Sequence, residues 1–122
     1  MRRVAALLLC LEVVTSPLPA RATDAPFEAR LMRLAEILGS LHYLRSLCGE
    51  TGGHWRKEME SLLESEKPDA ERRARLVARF NHGYRSFDGV YTACTESATA
   101  AVTRYMAEGE MLTRDIASRF GN

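Results

Sequence analysis

Apolar residues return at three- and four-residue steps along most of the chain, the spacing of helices with one face turned inward. Phe27, Leu31, Leu34, Leu38, Leu41 and Cys48 form one such stripe, with Leu44 and Arg45 flanking its missing step. It predicts a helix over residues 25–48, capped by Thr23 or Asp24 and with Pro26 tolerated in the opening turn. Gly49 ends it, glycine taking the left-handed cap conformation cheaply. Thr51-Gly52-Gly53 reads as a flexible link. Trp55, Met59, Leu62 and Leu63 mark a shorter helix over 54–66, closed by Glu66-Lys67-Pro68.

Asp69 caps a third helix, 70–94, with Glu71 in its first turn opposing the macrodipole. Val77, Phe80, Tyr84, Phe87, Tyr91 and Cys94 alternate three and four without a slip. Helical spacing makes this aromatic row core first and a stacking wall for a ligand second. Thr95 or Ser97 starts a fourth helix, 96–120, in which Val102, Tyr105, Gly109, Leu112 and Ile116 repeat the pattern. Sustained two-residue alternation is absent, so no sheet is expected. The prediction is an all-α fold, an antiparallel (up-down-up-down) four-helix bundle with a short second helix, in a single domain over 23–122. Gly83, Gly89 and Gly109 inside helices each cost about 1 kcal/mol against alanine. They point to close backbone approach, between helices or under another protein.

The first 22 residues break the pattern. Met1-Arg2-Arg3 is basic, Val4 to Leu11 is apolar, Thr15-Ser16-Pro17-Leu18-Pro19 breaks a helix, and Ala20-Arg21-Ala22 is small-x-small. These are the parts of a secretory signal peptide in order, with Glu12 the one discordant residue. The run is about half the roughly 20 apolar residues that a bilayer requires. Cys10 follows bulky Leu9, against a lipoprotein site, and nothing after Arg2-Arg3 supports twin-arginine export. Cleavage after Ala22 is expected to leave a mature periplasmic chain starting at Thr23, without a transmembrane segment.

That cleavage changes the charge. The full chain of 122 residues, 46% hydrophobic and 27% charged, carries 17 basic and 16 acidic residues for a net +1. Without Arg2, Arg3, Arg21 and Glu12 it keeps 14 basic and 15 acidic residues, net −1. A nucleic-acid partner is not expected, because such binding rests on a basic face.

Cys10 leaves with the leader, and Cys48 and Cys94 remain. Two cysteines in an oxidising compartment read as one disulfide. Redox activity is disfavoured by the lack of a C-x-x-C pair, and structural zinc by the lack of finger-like spacing. An alternating bundle puts the C-terminal ends of helices one and three at the same end. Those helices are expected to match, at about 36 Å each. The short second helix and its link just span the return path, so topology and pairing agree.

Leu41-His42-Tyr43-Leu44-Arg45-Ser46-Leu47-Cys48 and Phe80-Asn81-His82-Gly83-Tyr84-Arg85-Ser86-Phe87, with Cys94, Arg104-Tyr105, Glu108-Gly109 and the ending from Ile116 to Asn122, carry a resemblance. The chain resembles a family of small exported alphaproteobacterial proteins classed as a domain of unknown function. The resemblance covers about the whole mature chain. It implies export, a helical domain and pairing of Cys48 with Cys94, and no activity, cofactor or catalytic residue.

One polar cluster qualifies as a candidate site. Asn81, Arg85 and Asp88 share a face of the third helix, and Arg45 stands where the first stripe would place a leucine. Two guanidinium groups with an amide suit an anion. The competing reading is structural pairing, Arg85 with Asp88 or Arg45 with Glu108, because buried charges persist when paired. His42, His54 and His82, with Met59 or Met106, are the residues a copper or zinc ion would use. No H-E-x-x-H or C-x-x-C-H spacing supports a metal or haem, and neither metal nor cofactor is expected. Ser40, Ser46, Ser61, Ser65, Ser86, Ser97 and Ser118 lack a nucleophile-elbow context, and no catalytic residue is assigned. The resulting expectation is a non-enzymatic exported helical module that binds another envelope protein. The alternative is a periplasmic carrier of a small anion or metal.

Overall fold

A computed structural model describes residues 21–120; the leader expected over 1–22 lies outside the described residues except for its last two. Four helices follow in order, α1 (Arg21–Leu47), α2 (His54–Glu66), α3 (Ala70–Asp88) and α4 (Glu96–Phe120). No strand occurs among the described residues.

Local chemistry sets most of the boundaries. Gly49, Gly52 and Gly53 have positive φ, so the chain turns between α1 and α2 where a Cβ would be strained. Lys67 takes the left-handed conformation at φ 44° and donates its N–H to the Leu63 carbonyl, closing α2 before Pro68. The Asp69 carboxylate accepts from the Arg72 N–H at 2.8 Å, satisfying one of the free donors of α3. Thr95 does the same for α4 through Ala98 N–H at 3.1 Å.

Two boundaries depart from expectation. α1 begins at Arg21, so Pro26 lies inside it rather than in an opening turn. α3 ends at Asp88 instead of residue 94, because the Phe87 carbonyl accepts from both Val90 and Tyr91 N–H groups and turns the chain at Gly89. Tyr91 then folds back to stack on Phe87, with ring centroids 6.0 Å apart. The three–four spacing therefore continues past the helix through a loop against the same face. α1 and α3, with 27 and 19 residues, are not matched in length.

The helices alternate in direction, as expected of an up-down-up-down bundle, but they do not form a square. α1 is the axis, and α2, α3 and α4 each pack on it. One cluster joins Leu31, Ala35 and Leu38 of α1 to Met59, Leu63 and Leu76. The other joins Ile37, Leu41 and Leu44 to Ala98, Ala101 and Val102 of α4. α1 therefore carries two apolar stripes where one was expected, since a helix covered on several sides is apolar around most of its circumference.

The α1–α3 crossing brings main chain against main chain. A Cβ added to Gly39 would lie 1.8 Å from the Phe80 carbonyl oxygen, and one on Gly83 would lie 2.0 Å from that of Glu36. Each glycine thus admits a carbonyl of the other helix. Gly83 fulfils the expected close approach; Gly109 has only an ordinary contact with Ile37, and Gly89 caps α3 with open space beside it.

Candidate functional site

Because α2 lies on α1 without reaching α4, an open depression flanks it on each side. The first lies between α2 and α3 and holds about 500 Å³. Arg56, Met59, Glu60 and Leu63 recur at helical steps on α2, and Arg73, Val77, Phe80, Asn81 and Tyr84 do so on α3, so both walls follow from periodicity. His42 of α1 forms part of the floor, its ring centroid 5.8 Å from Phe80 and 5.7 Å from Tyr84. Burial pushes the His42 pKa below its ordinary value, and the nearby positive charge of Arg56 pushes it the same way against the pull of Glu50. Arg56 is held loosely by Glu60 at 3.9 Å.

The second depression lies between α2 and α4 and holds about 460 Å³. Leu34, Ile37, Leu38 and Leu41 form its floor, with Trp55 and Met106 on opposite walls. Glu58 of α2 and Glu110 and Arg114 of α4 stand on its rim. The Trp55 indole N–H is buried with no hydrogen-bond acceptor.

The four residues singled out as an anion cluster do not converge on either depression. Asn81 alone lines the α2–α3 cleft. Arg85 donates from Nε to the Asn81 main-chain carbonyl at 3.3 Å and is exposed. Arg45 donates to Glu50 at 2.7 Å, just beyond α1. Asp88 is exposed at the last residue of α3. The partner of Glu108 is Arg33 rather than Arg45, through two bonds of 2.8 Å. That bidentate pairing lowers the Glu108 pKa below the usual carboxylate range and raises that of Arg33. Arg56 and Arg73 were not singled out from the sequence. The signal available for them was their helical register with Met59, Leu63 and Val77.

Cys48 and Cys94 are joined by a disulfide, with Cα atoms 5.0 Å apart, at the end of the bundle where α1 finishes. Tyr43 reinforces the same connection by donating its hydroxyl to the Tyr91 carbonyl. The three histidines are dispersed: His42 in the cleft floor, His54 edge-on to Trp55 at 4.8 Å, and exposed His82 at 3.9 Å from Glu36. Among the described residues, no three His, Cys, Asp or Glu side chains are grouped to hold a metal ion. Among the same residues, no helix is long and apolar enough to cross a membrane.

Three helices gathered on axial α1, in alternating directions and with Cys48 tied to Cys94, define a small all-α bundle. Residues 26–120 match the family described as "Protein of unknown function (DUF2385)", and the chain belongs to that family. No curated protein and no solved structure matches it.

Proposed function

We propose that the protein is an exported, non-enzymatic binding module of the cell envelope, working in the periplasm after removal of residues 1–22. The observation that carries the binding role is the α2–α4 groove, a depression of about 460 Å³ open between Trp55 and Met106 above the largely buried leucines and isoleucine of α1. Its occupant is a segment of an envelope protein presenting apolar side chains flanked by a basic residue. The rim carries Glu58 and Glu110 against the single cation Arg114, an excess of negative charge that favours such a segment. Export rests on the order of charged start, apolar run, breaker and small-residue site in the leader.

A photo-crosslinking side chain placed at position 110 in living cells should give one discrete adduct with an envelope protein. The same probe at position 85 on α3 should give none, and Met106→Glu should abolish the adduct at 110. Equal adducts at both positions, or none at either, overturn the groove reading. Recovery of a full-length chain still bearing residues 1–22 in the cytosol overturns export. A second reading, carriage of a small anion, is supported by the α2–α3 cleft, which Arg56, Asn81 and His42 all line.

A further inference from the structure

The α2–α3 cleft gathers polar groups at one end and carries Arg73 at the other, with apolar side chains and Glu60 between them. α2 and α3 run in opposite directions, which the register of their contacts makes specific. Arg72, near the start of α3, bonds Glu66 at the end of α2 at 3.0 Å. Arg56, near the start of α2, therefore lies toward Asn81 and Tyr84, in the later part of α3. His42 of α1 belongs to the same end, since its ring touches Phe80 and Tyr84 and it feels the charge of Arg56. Three helices thus each contribute a polar group to one end of the cleft: His42, Arg56 and Asn81.

From that end, half-buried Val77 on α3 and the outer edges of the nearly buried Met59 and Leu63 on α2 lead away as an apolar strip. Eight residues of α3 separate Asn81 from Arg73, about 12 Å along the helix axis. Arg56 is held only loosely by Glu60 at 3.9 Å, and with Arg73 at the far end it leaves the lining with a net positive charge. An uncharged ligand leaves the arginines unused, and a bulky polyanion meets Glu60. A single negative charge on an apolar tail fits both the charge and its layout.

We propose that this cleft binds a monoanionic amphiphile, its carboxylate held by Arg56 and Asn81 beside His42 and its tail lying along Met59, Leu63 and Val77. Guanidinium takes a carboxylate through paired charge-assisted hydrogen bonds, with the Asn81 amide as a further donor. The His42 ring, packed at a tilt against Phe80 and Tyr84, forms part of the wall beside the head. This inference rests on the anion-carrier reading and names the class of its ligand.

The test uses the mature, oxidised protein with decanoate as the probe, followed by calorimetry and by NMR shifts of the Asn81 side-chain amide and the His42 ring. Decanoate should bind one to one and move both signals. Nonyltrimethylammonium, with the same alkyl tail and the opposite charge, should move neither. Arg56→Gln should weaken decanoate at least tenfold, whereas Arg73→Gln at the far end should change it less than twofold. Both arginines are exposed, and unchanged melting of the two variants confirms that the fold is kept.

Acetate binding as tightly as decanoate overturns the amphiphile while leaving anion carriage standing. No response at Asn81 and His42 to decanoate or acetate overturns both. Decanoate shifts confined to Met106 and Trp55 overturn the assignment to this cleft. So does a larger loss from Arg73→Gln than from Arg56→Gln.

Discussion

Replacing Gly39 with alanine tests the α1–α3 crossing most directly. The new Cβ would lie 1.8 Å from the Phe80 carbonyl oxygen, where ordinary van der Waals contact begins at 3.4 Å. The helices would have to part by about 1.6 Å, the difference between those distances. A carbonyl has no rotamer through which to yield. The penalty therefore belongs at the upper end of the usual overpacking range, about 3 kcal/mol. Alanine's better helix propensity returns about 1 kcal/mol, leaving a net loss of about 2 kcal/mol. For a domain near 100 residues this lowers the melting temperature by about 8–16 °C.

Thermal unfolding followed by circular dichroism, with urea titration as a second measure, gives both numbers. Gly109→Ala is the matched control, because its Cβ meets only Ile37 Cγ2 at 3.4 Å. It should be neutral or stabilising by up to about 1 kcal/mol. Gly83→Ala should resemble Gly39→Ala. The double variant should lose less than the sum, since helices already parted for one methyl accommodate the other. Gly39→Ala melting within 2 °C of wild type, or Gly109→Ala falling equally far, would refute the main-chain crossing as the origin of the effect.

Four further outcomes follow from the same geometry. Reducing the Cys48–Cys94 bond, which spans a sequence separation of 46, should remove about 4 kcal/mol of loop-closure stabilisation and lower the melting temperature by well over 10 °C. Glu108 is depressed by Arg33, so its contribution is complete above the unfolded carboxylate pKa and disappears as pH falls through the lower native value. Glu108→Gln should flatten the acid limb of the stability curve by up to about 1 kcal/mol, the pair being about one-third exposed. His42 is also depressed, which makes the unfolded chain the stronger proton binder as pH drops below about 6.5; stability should fall through the native pKa, and His42→Phe should remove that slope while keeping the aromatic contacts. Trp55→Phe deletes a buried donor with no acceptor and should cost less than about 1 kcal/mol, whereas Trp55→Ala should cost about 3–5 kcal/mol in urea unfolding.

Helix number and order were legible because they rest on short-range chemistry, and the pairing of Cys48 with Cys94 because they are the two cysteines outside the leader. Asp69 caps α3 and Thr95 caps α4 through their own side chains, and such signals survive without tertiary information. The end of α3 was not legible for the opposite reason. Tyr91 keeps helical spacing with Phe87 while lying in a loop that stacks on it, so periodicity reported a shared face rather than a continuous helix. Gly39 was overlooked because a glycine beside Ser40 in a leucine-rich segment reads as a weak interruption. Its role appears only when Phe80 arrives from another helix.

The candidate site was less legible than the fold. Arg45 looked misplaced because a single stripe was assumed on α1. With two stripes, Leu44 fills the core and Arg45 is free to reach Glu50. Arg56 and Arg73 carry no local motif, and their relation depends on the opposed directions of α2 and α3. Asn81 was singled out for its helix face, and it does line the cleft, but its neighbours there are not the arginines first placed with it.

The two ends of the molecule are fastened by different physics. Sulfur closes one end, while the other is clasped by Arg72 to Glu28 and Glu66 and by Arg30 to Asp115. Covalent closure ignores dissolved ions, but guanidinium–carboxylate clasps weaken as the screening length contracts from about 10 Å at 0.1 M salt to about 3 Å at 1 M. Ionic strength therefore acts as a one-sided dial. It sets how readily the beginning of α1 splays from α3 and α4, while the sulfur-tied end keeps its register in brine and in dilute buffer alike.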